Sequence, residues 1–246
     1  YIAVGEHGDD IHQKVGNRMH IVNSLVGSAA QTEHIGQVIS ADAEASRVIF
    51  SIDGLDYPAR INLPGGYNIY NACAAMALVK ALDLDLQVAA NALSSFSCGF
   101  GRMEKFEIDG TTLRMILIKN PAGCNQVLNF LAGITEPFVF TVCLNDRAFD
   151  GKDISWIWDV DFERLAAMGD LLDRVLVSGV RADDMAVRFK YAGIPAEKIC
   201  VIRDYEELTR VCASQHKPVY IMPTYTAMLD LRGTISKNYG FKAFWE

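Results

Sequence analysis

The C-terminal part of the sequence alternates between short apolar runs and amphipathic segments. The runs at 113–118, 138–144 and 219–222 are rich in β-branched and aromatic residues, which is typical of buried strands. The remaining predicted elements are strands at 175–179 and 198–202 and helices at 124–131, 182–192 and 205–214. Strands that alternate with helices predict a parallel sheet. We therefore expect a doubly wound, Rossmann-like α/β domain over residues 105–246.

The preceding part of the chain has a different pattern. Apolar runs at 48–52 and 57–63 flank Asp53-Gly54, a strong signal for the turn of a β-hairpin. An alanine-rich segment at 67–79 has high helix propensity, and a second helix is expected at 86–96. Hairpin and helices together indicate a separate folding unit before the parallel sheet.

These two patterns predict two domains. The chain has 246 residues, which is enough for one large or two small domains. We place the boundary between residues 104 and 105, so that the first domain is 1–104 and the second is 105–246. Residues 1–42 show no sustained period of either kind.

An aspartate-rich segment follows the predicted strand at 138–144. Its sequence, 144–163, is LNDRAFDGKDISWIWDVDFE, with five aspartates around Trp156 and Trp158. Apolar residues then recur at roughly helical spacing and predict a helix: Phe162, Leu165, Met168 and Leu172. Because ligands of open α/β sheets bind at the carboxyl ends of strands, this acidic loop is a candidate site. A purely structural role stays open, since aspartate is common in loops and tryptophan often covers a helix.

Composition narrows the classes of function. Apolar residues make up 50% of the chain, charged residues 22%, and the formal net charge is -7. An acidic chain is not expected to bind nucleic acid, which proteins contact through basic stripes. No apolar run reaches the roughly 20 residues that span a bilayer, and the N-terminus shows no signal-peptide pattern. We expect a cytoplasmic protein that is not integral to the membrane.

The cysteines and the missing motifs exclude further chemistry. The six cysteines are scattered without a C-x-x-C pair, so we expect buried free thiols and no metal ligands. The sequence contains no G-x-x-x-x-G-K-[ST] phosphate loop, no G-x-G-x-x-G motif and no G-x-S-x-G elbow. Hydrolysis by a nucleophile of this chain alone is therefore not expected.

Polar residues at element ends are candidates for ligand binding. Asn68 and Asn71 lie three apart in the first turn of a predicted helix, so their amides share a face; the alternative is that Asn68 caps the helix. Arg102 follows a glycine near the domain boundary and is placed to bind phosphate, with a salt bridge as the alternative. Lys119 and Asn120 lie in the predicted loop 119–123, after a strand.

The order of four motifs resembles the Mur ligase family. The motifs are PGGYNIYNA at 64–72, GRME at 101–104, KNPAG at 119–123 and PTYT at 223–226. Over about residues 47–231 the chain is similar to a Mur ligase from the end of its central ATPase domain through its C-terminal domain. With the acidic loop, it looks like the MurT-type subunits of lipid II isoglutaminyl synthases, which form heterodimers with a GatD-type glutamine amidotransferase.

The resemblance implies an ATP-dependent carbon–nitrogen ligase of peptidoglycan synthesis. Such an enzyme amidates the α-carboxyl of D-glutamate in the lipid II stem peptide to D-isoglutamine, at the inner face of the membrane. ATP and Mg²⁺ are the implied cofactors, and the partner supplies ammonia from glutamine. By motif, Asn68 would contact adenine with Asn71 nearby, and Arg102 the ribose or phosphates. Lys119 and Asn120 would contact the nucleotide or the acyl phosphate.

In this family an aspartate of the acidic loop is thought to complete the partner's Cys-His pair. It would hold the imidazole in the correct tautomer and stabilise the imidazolium. We prefer Asp159, because Trp156 and Trp158 give an apolar footing that interfaces use, and place Asp153 second. An N-cap of the following helix is the alternative role for Asp159.

Two departures from the family leave other functions open. The phosphate-loop half is absent, so a truncated chain is expected, and the family's four-cysteine zinc ribbon has no ligands in 1–42. One alternative is a Mur ligase that adds an amino acid to a peptidoglycan precursor. The other is a non-catalytic domain that docks a glutaminase.

Overall fold

The structure is a computed structural model that describes residues 2–3, 18–23, 33–41, 45–63, 65–96 and 102–242. It divides into two compact units, Tyr1–Ser97 and Cys98–Glu246. Within the described residues each unit contains one β-sheet. The predicted boundary at 104/105 stays a prediction, and the first described strand of the second sheet begins at Arg102.

The first unit contains an antiparallel sheet. Among the described residues its strands follow chain order across the sheet: β1 (Ile2–Ala3), β2 (Arg18–Asn23), β3 (Glu33–Ala41), β4 (Ser46–Ile52) and β5 (Leu55–Ile61). The predicted hairpin is confirmed, because β4 and β5 pair from Ile52 and Leu55 outward. Its turn residues Asp53 and Gly54 have φ values of 53° and 77°, as a tight hairpin turn requires. β2 and β3 were not predicted, because residues 1–42 show no sustained apolar period.

Two helices pack on this sheet, α1 (Gly66–Ala81) and α2 (Leu86–Ser95), and both predicted helices are confirmed. The side of β4 that carries Val48 and Phe50 is buried, and Ile69, Cys73 and Met76 of α1 belong to the same core. Alternation on the strand and a spacing of three to four on the helix bring these apolar residues into one layer.

The second unit contains a largely parallel sheet. Its described strands are β6 (Arg102–Ile108), β7 (Thr111–Ile116), β8 (Phe138–Cys143), β9 (Leu172–Ser178), β10 (Ile199–Val201) and β11 (Val219–Pro223). They lie in the order β10-β9-β8-β11-β7-β6. All neighbours are parallel except β6, which is antiparallel to β7. The expected doubly wound α/β domain is confirmed, while the edge strand β6 was not predicted.

Helices cover both faces of this sheet. They are α3 (Pro121–Leu131), α4 (Glu163–Ala167), α5 (Ala182–Tyr191), α6 (Tyr205–Ala213) and α7 (Tyr225–Tyr239). α3, α4 and α5 contribute to one apolar core, and α6 and α7 to another. The two cores share β8, since Phe138 and Phe140 face the first while Val139 faces the second. The connections leaving the adjacent strands β8 and β11 therefore run to opposite faces, which makes their carboxyl ends the switch point of the sheet.

Two predicted segments need correction. The helix expected from Phe162 to Leu172 ends at Ala167, because Gly169 adopts a positive φ of 59° and Leu172 already begins β9. The predicted loop 119–123 is shorter than expected, since Pro121 opens α3. Proline suits the first helical position, where its missing N–H would have no partner.

The described cysteines are free, as expected, and all but Cys200 are buried; Cys98 lies outside the described residues. Burial raises the pKa of Cys73 and of Cys212 to about 12, so both thiols are neutral. In the described parts of the chain, no helix is long and apolar enough to cross a bilayer. Nor do the described histidine, cysteine and acidic side chains form a group of three or more that could hold a metal ion.

Candidate functional site

The acidic loop, residues 144–163, leaves the carboxyl end of β8, as predicted, and this end lies at the switch point of the second sheet. We call 144–153 its proximal half and 155–163 its distal half. The two halves are attached to the domain by different contacts.

Asn145 fixes the start of the proximal half. Its buried side chain accepts a hydrogen bond from Val180 N (2.9 Å) and donates to Thr226 Oγ1 (2.9 Å). Its backbone N–H donates to Thr224 Oγ1 (3.0 Å). One residue thereby joins the loops that follow β8, β9 and β11.

Gly179 allows this close approach. Its φ is +90°, and a Cβ there would lie 2.5 Å from the carbonyl oxygen of Leu144 and 2.8 Å from Asn145 Oδ1. No side chain fits at these distances, so the position requires glycine. The loops after β8 and β9 are therefore packed backbone against backbone.

Asp150 fixes the other end of the proximal half. Its carboxylate accepts hydrogen bonds from Thr226 N (2.7 Å) and Thr226 Oγ1 (2.5 Å) at the start of α7, and from Arg147 N (3.2 Å). Arg147 in turn contacts Asp230 on the same helix at 2.8 Å. A carboxylate at a helix N-terminus satisfies N–H groups and interacts favourably with the helix dipole.

Arg188 of α5 fixes the distal half. It is 3% exposed, and its Nε and Nη2 donate to the carbonyl oxygens of Ile157 (3.1 Å) and Val160 (2.7 Å). Nη1 and Nη2 also bind the carboxylate of Glu163 at 2.9 and 3.0 Å. The 3-10 turn Ser155–Asp159 is thus held to α5 by a buried cation whose charge is paired with Glu163.

The aspartates of the loop differ in their partners. Within the described structure four are engaged: Asp146 with Arg181, Asp150 with Thr226, Asp153 with Ser155 and Asp161 with Arg164. Hydrogen bonds from Ser155, chiefly from its backbone N–H, lower the pKa of the exposed Asp153. Asp159 is exposed, and its carboxylate makes no hydrogen bond or ion pair with any residue that the structure describes. The carboxylate oxygens of Asp159 are therefore available to accept hydrogen bonds.

An apolar surface lies beside Asp159. Trp158 is 51% exposed and packs edge to face on Tyr191, with ring centroids 5.5 Å apart. Tyr191 is 75% exposed, and Val187, one helical turn earlier on α5, is also exposed. We call Trp158, Tyr191 and Val187 the Trp158 patch. Trp156, by contrast, is partly buried against the core and anchors the turn.

The capping alternatives for two candidates are wrong. Asp159 is not the N-cap of the following helix, because Phe162 occupies that position in front of α4. Asn68 does not cap α1 either, because the helix already begins at Gly66, with Gly65 as its N-cap. Gly65 has a φ of 94°, which suits the sharp entry to this helix.

The candidate nucleotide residues fall in both units, and each unit is described by itself. In the first, Asn68 is buried and Asn71 exposed on the first turns of α1. In the second, Lys119 is exposed after β7, and within the described residues it forms no ion pair. The side chain of Arg102 lies outside the described part of the chain, so its predicted role and the salt-bridge alternative stay predictions.

Asn120 has a structural role that was not predicted. It is the N-cap of α3, and its Oδ1 accepts from Gly123 N at 2.8 Å. Its amide Nδ2 has no hydrogen bond among the described residues, so the cap leaves a donor available.

Arg188 and Asn145 were not predicted as site residues. Arg188 had a detectable signal: it lies beside Met185 and Phe189 in the apolar stripe of a predicted helix. Arginine is rarely buried unless it is paired, so such a position indicates a buried ion pair. Asn145 follows a buried strand directly, which was the only sign of its role.

Comparison with known proteins gives a consistent result. Residues 117–228 match the family model described as MurT ligase C-terminal. The chain is 39% identical over 194 residues to the lipid II isoglutaminyl synthase (glutamine-hydrolyzing) subunit MurT of Streptococcus pneumoniae, covering 78% of this chain and 42% of that protein. For the subunit of the same name from Staphylococcus aureus (strain COL), the identity is 30% over 179 residues, covering 73% and 40%.

A structural comparison agrees on the fold. The crystal structure of UDP-N-acetylmuramate-alanine ligase MurC from Thermotoga maritima superposes with a TM-score of 0.61 and 18% identity, covering 88% of this chain and 48% of that one. The predicted fold class and the predicted resemblance are confirmed by these matches. The chain spans about two fifths of the length of the MurT relatives.

Proposed function

Because the C-terminal domain of this chain belongs to the Mur ligase family and resembles that of its MurT members, we propose that the chain is part of a lipid II isoglutaminyl synthase. Its reaction is amidation of the D-glutamate α-carboxyl in the lipid II stem peptide, with ammonia from a glutaminase partner of the GatD type. The names of the relatives and their identity over most of this chain support the proposal. The reaction takes place in the cytoplasm, at the inner face of the membrane.

The role of Asp159 is the part of the proposal that the geometry supports best. Its turn is fixed through backbone carbonyls, and its carboxylate alone among the loop's aspartates has no partner within the described residues. We assign it the third position of the partner's catalytic triad. There it accepts a hydrogen bond from the imidazole, selects its tautomer and stabilises the imidazolium that forms. Asp153 ranks second, because Ser155 already occupies one of its oxygens.

The Trp158 patch supports this role. Trp158 directly precedes Asp159 in the chain, and its ring with that of Tyr191 forms an exposed apolar surface that a partner could cover, which would exclude water from this region. Electrostatic interactions strengthen as water is removed, so a docked Asp159 would act more strongly on the imidazole than an exposed one. Partly exposed aromatic residues beside a charged group are also typical of the centres of interfaces.

The residues present fit part of a nucleotide site. Lys119 offers an ammonium group at the carboxyl end of β7, and Asn120 a free amide donor at the start of α3. Groups at this edge of a sheet are suited to bind phosphate oxygens. By the family motif, Asn68 of the first unit would contact the adenine, with Asn71 nearby, and Arg102 would contact the ribose or phosphates. ATP with Mg²⁺, when bound, supplies the phosphoryl group that activates the carboxyl toward ammonia.

The test uses the full-length protein in complex with its glutaminase partner. With glutamine labelled at the amide nitrogen, we expect label in lipid II, whereas an enzyme that adds an amino acid would transfer none. Asp159→Asn should lower the kcat of glutamine hydrolysis by roughly 100-fold or more, because an amide cannot stabilise the imidazolium. Asp153→Asn is the matched control and should change kcat by less than about threefold.

Free ammonia separates the two half-reactions. Because Asp159→Asn leaves the nucleotide residues intact, ammonium chloride should restore lipid II amidation by this variant. Wild-type glutaminase activity in Asp159→Asn, with loss in Asp153→Asn, would transfer the role to Asp153. Full activity in both variants would rule out a triad residue in this loop. Loss of nucleotide binding in Asn68→Ala would count against a purely docking function.

A further inference from the structure

We infer that Arg188 is the positioning residue for Asp159; this inference rests on the function proposed for Asp159. Arg188 is buried, and its hydrogen bonds within the described residues go to Ile157, Val160 and Glu163, not to the Asp159 carboxylate. It bonds the backbone on both sides of that residue, at Ile157 and Val160. The position of the carboxylate in space therefore depends on a side chain from another element.

The hydrogen bonds of Arg188 define the turn. The carbonyl oxygens of Ile157 and Val160 point to one guanidinium group, at 3.1 and 2.7 Å. These carbonyls bracket the segment that contains Trp158 and Asp159. Because a 3-10 turn has weak internal hydrogen bonds, two external bonds of this kind add much of its order.

Burial and charge explain why arginine is needed. The side chain of Arg188 is 4% exposed, while that of its partner Glu163 is 53% exposed. A planar guanidinium can bind two carbonyls and one carboxylate at the same time, because its donors form a rigid fork. A lysine ammonium retains the charge but lacks this geometry.

Ring contacts add a second constraint. The guanidinium carbon lies 5.4 Å from the ring centroid of Trp158 and 5.4 Å from that of Phe162. Such cation–π contacts stabilise the orientation of each ring. Arg188 thus orders both the residue before Asp159 and the patch that would cover it.

Displacement of the Asp159 carboxylate would lower the rate of glutamine hydrolysis. Displacement of a catalytic group by about 1 Å can lower a rate by roughly 100-fold. In the full-length complex, Arg188→Gln should lower the kcat of glutamine hydrolysis by roughly 10- to 100-fold. KM for glutamine should not change, because glutamine binds to the partner. Arg188→Lys should recover part of the lost kcat, since it keeps the charge and fewer of the bonds.

Lys198→Met is the matched control. Lys198 donates to the carbonyl oxygens of Gly169 (3.0 Å) and Leu172 (2.6 Å), so it ties the same connection to the domain after α4. Its loss should lower Tm, with kcat staying within about twofold of wild type. An equal fall in kcat for Lys198→Met and the Arg188 variants would reduce Arg188 to a structural role and overturn the inference.

A double-mutant cycle with Asp159→Asn gives the sharpest readout. If Arg188 acts through Asp159, then Arg188→Gln has little further effect on kcat once Asp159 is replaced. Multiplicative losses would overturn the inference. If Arg188→Gln fails to fold, the same cycle with Arg188→Lys gives the answer.

Failure of the two proposals can be told apart. Full activity of Asp159→Asn would overturn the role of Asp159 and, with it, this inference. An inactive Asp159→Asn beside fully active Arg188 variants would overturn the inference alone.

Discussion

The two halves of the acidic loop are held to one domain by opposite means. The proximal half is anchored through its side chains, and the carboxylate of Asp150 is used up in binding the start of α7. Around Asp159 the distal half is anchored through its main chain, because Arg188 binds the carbonyl oxygens of Ile157 and Val160 in addition to the carboxylate of Glu163. Anchoring by carbonyls fixes the chain and leaves the side chain of Asp159 available. An acid-rich loop can therefore contain structural and functional aspartates that look alike in the sequence.

The exposed aromatic residues of the two halves differ in the same way. Phe149 in the proximal half is 78% exposed and has an edge contact with Tyr225 at 6.4 Å. Trp158 in the distal half is less exposed but is fixed between Tyr191 and Arg188. A preordered aromatic side chain loses less conformational entropy when a partner covers it. The distal half is thus better prepared for docking, although Phe149 exposes more of its surface.

The largest difference between the two halves is expected in their contribution to the affinity for the partner, when Trp158 and Phe149 are each replaced. Trp158→Ala should weaken the affinity for the glutaminase partner by about 10- to 100-fold, since central aromatic residues dominate many interfaces. Phe149→Ala, the matched control, should change Kd by less than about threefold. Titration calorimetry on the full-length protein measures both. A larger loss for Phe149→Ala would move the docking surface to the proximal half.

Loss of the Asp150 anchor should have an intermediate effect, on stability. Asp150→Ala leaves the N–H and hydroxyl of Thr226 without their acceptor, which costs about 1–2 kcal/mol of unfolding free energy. For a domain of this size Tm should fall by roughly 2 to 8 °C. Asp146→Ala is the control, because its contact with Arg181 at 3.8 Å is a surface ion pair worth at most about 1 kcal/mol. Equal Tm values for the two variants would contradict a special role for Asp150.

Much of the fold of the second unit could be predicted, because its central strands are buried on both faces. β8 and β11 are buried along their whole length and so appear as uninterrupted apolar runs. β6 was not predicted because it is an edge strand, in which the exposed residues Lys105 and Glu107 alternate with the buried residues Phe106 and Ile108. A short alternating pattern near a domain boundary is too weak a signal to predict a strand.

The location of the site could also be predicted, but the roles of its residues could not. The acidic loop follows a strand, and that order alone places it at the carboxyl edge of the sheet. The difference between Asp150 and Asp159 depends on Thr226 and Arg188, which are distant in the sequence and meet the loop only in the folded domain. Capping was wrongly considered for Asp159 because the start of α4 could not be located from spacing alone.

The smallest effect expected concerns the pH dependence of the Arg188 anchor. Hydrogen bonds from Arg188 lower the pKa of Glu163 below its ordinary value, so the folded state favours the ionised carboxylate. A depressed pKa gives stability that is fully present above the unfolded pKa of about 4.3 and is lost as pH falls through the lower folded value. Because Glu163 is half exposed, solvent screening limits its contribution to less than about 1 kcal/mol. Glu163→Gln should therefore be slightly less stable than wild type at pH 7, and the difference should shrink as pH falls below about 4.3, as measured by urea denaturation. A difference that does not change with pH would mean that the pair acts by packing and not by charge.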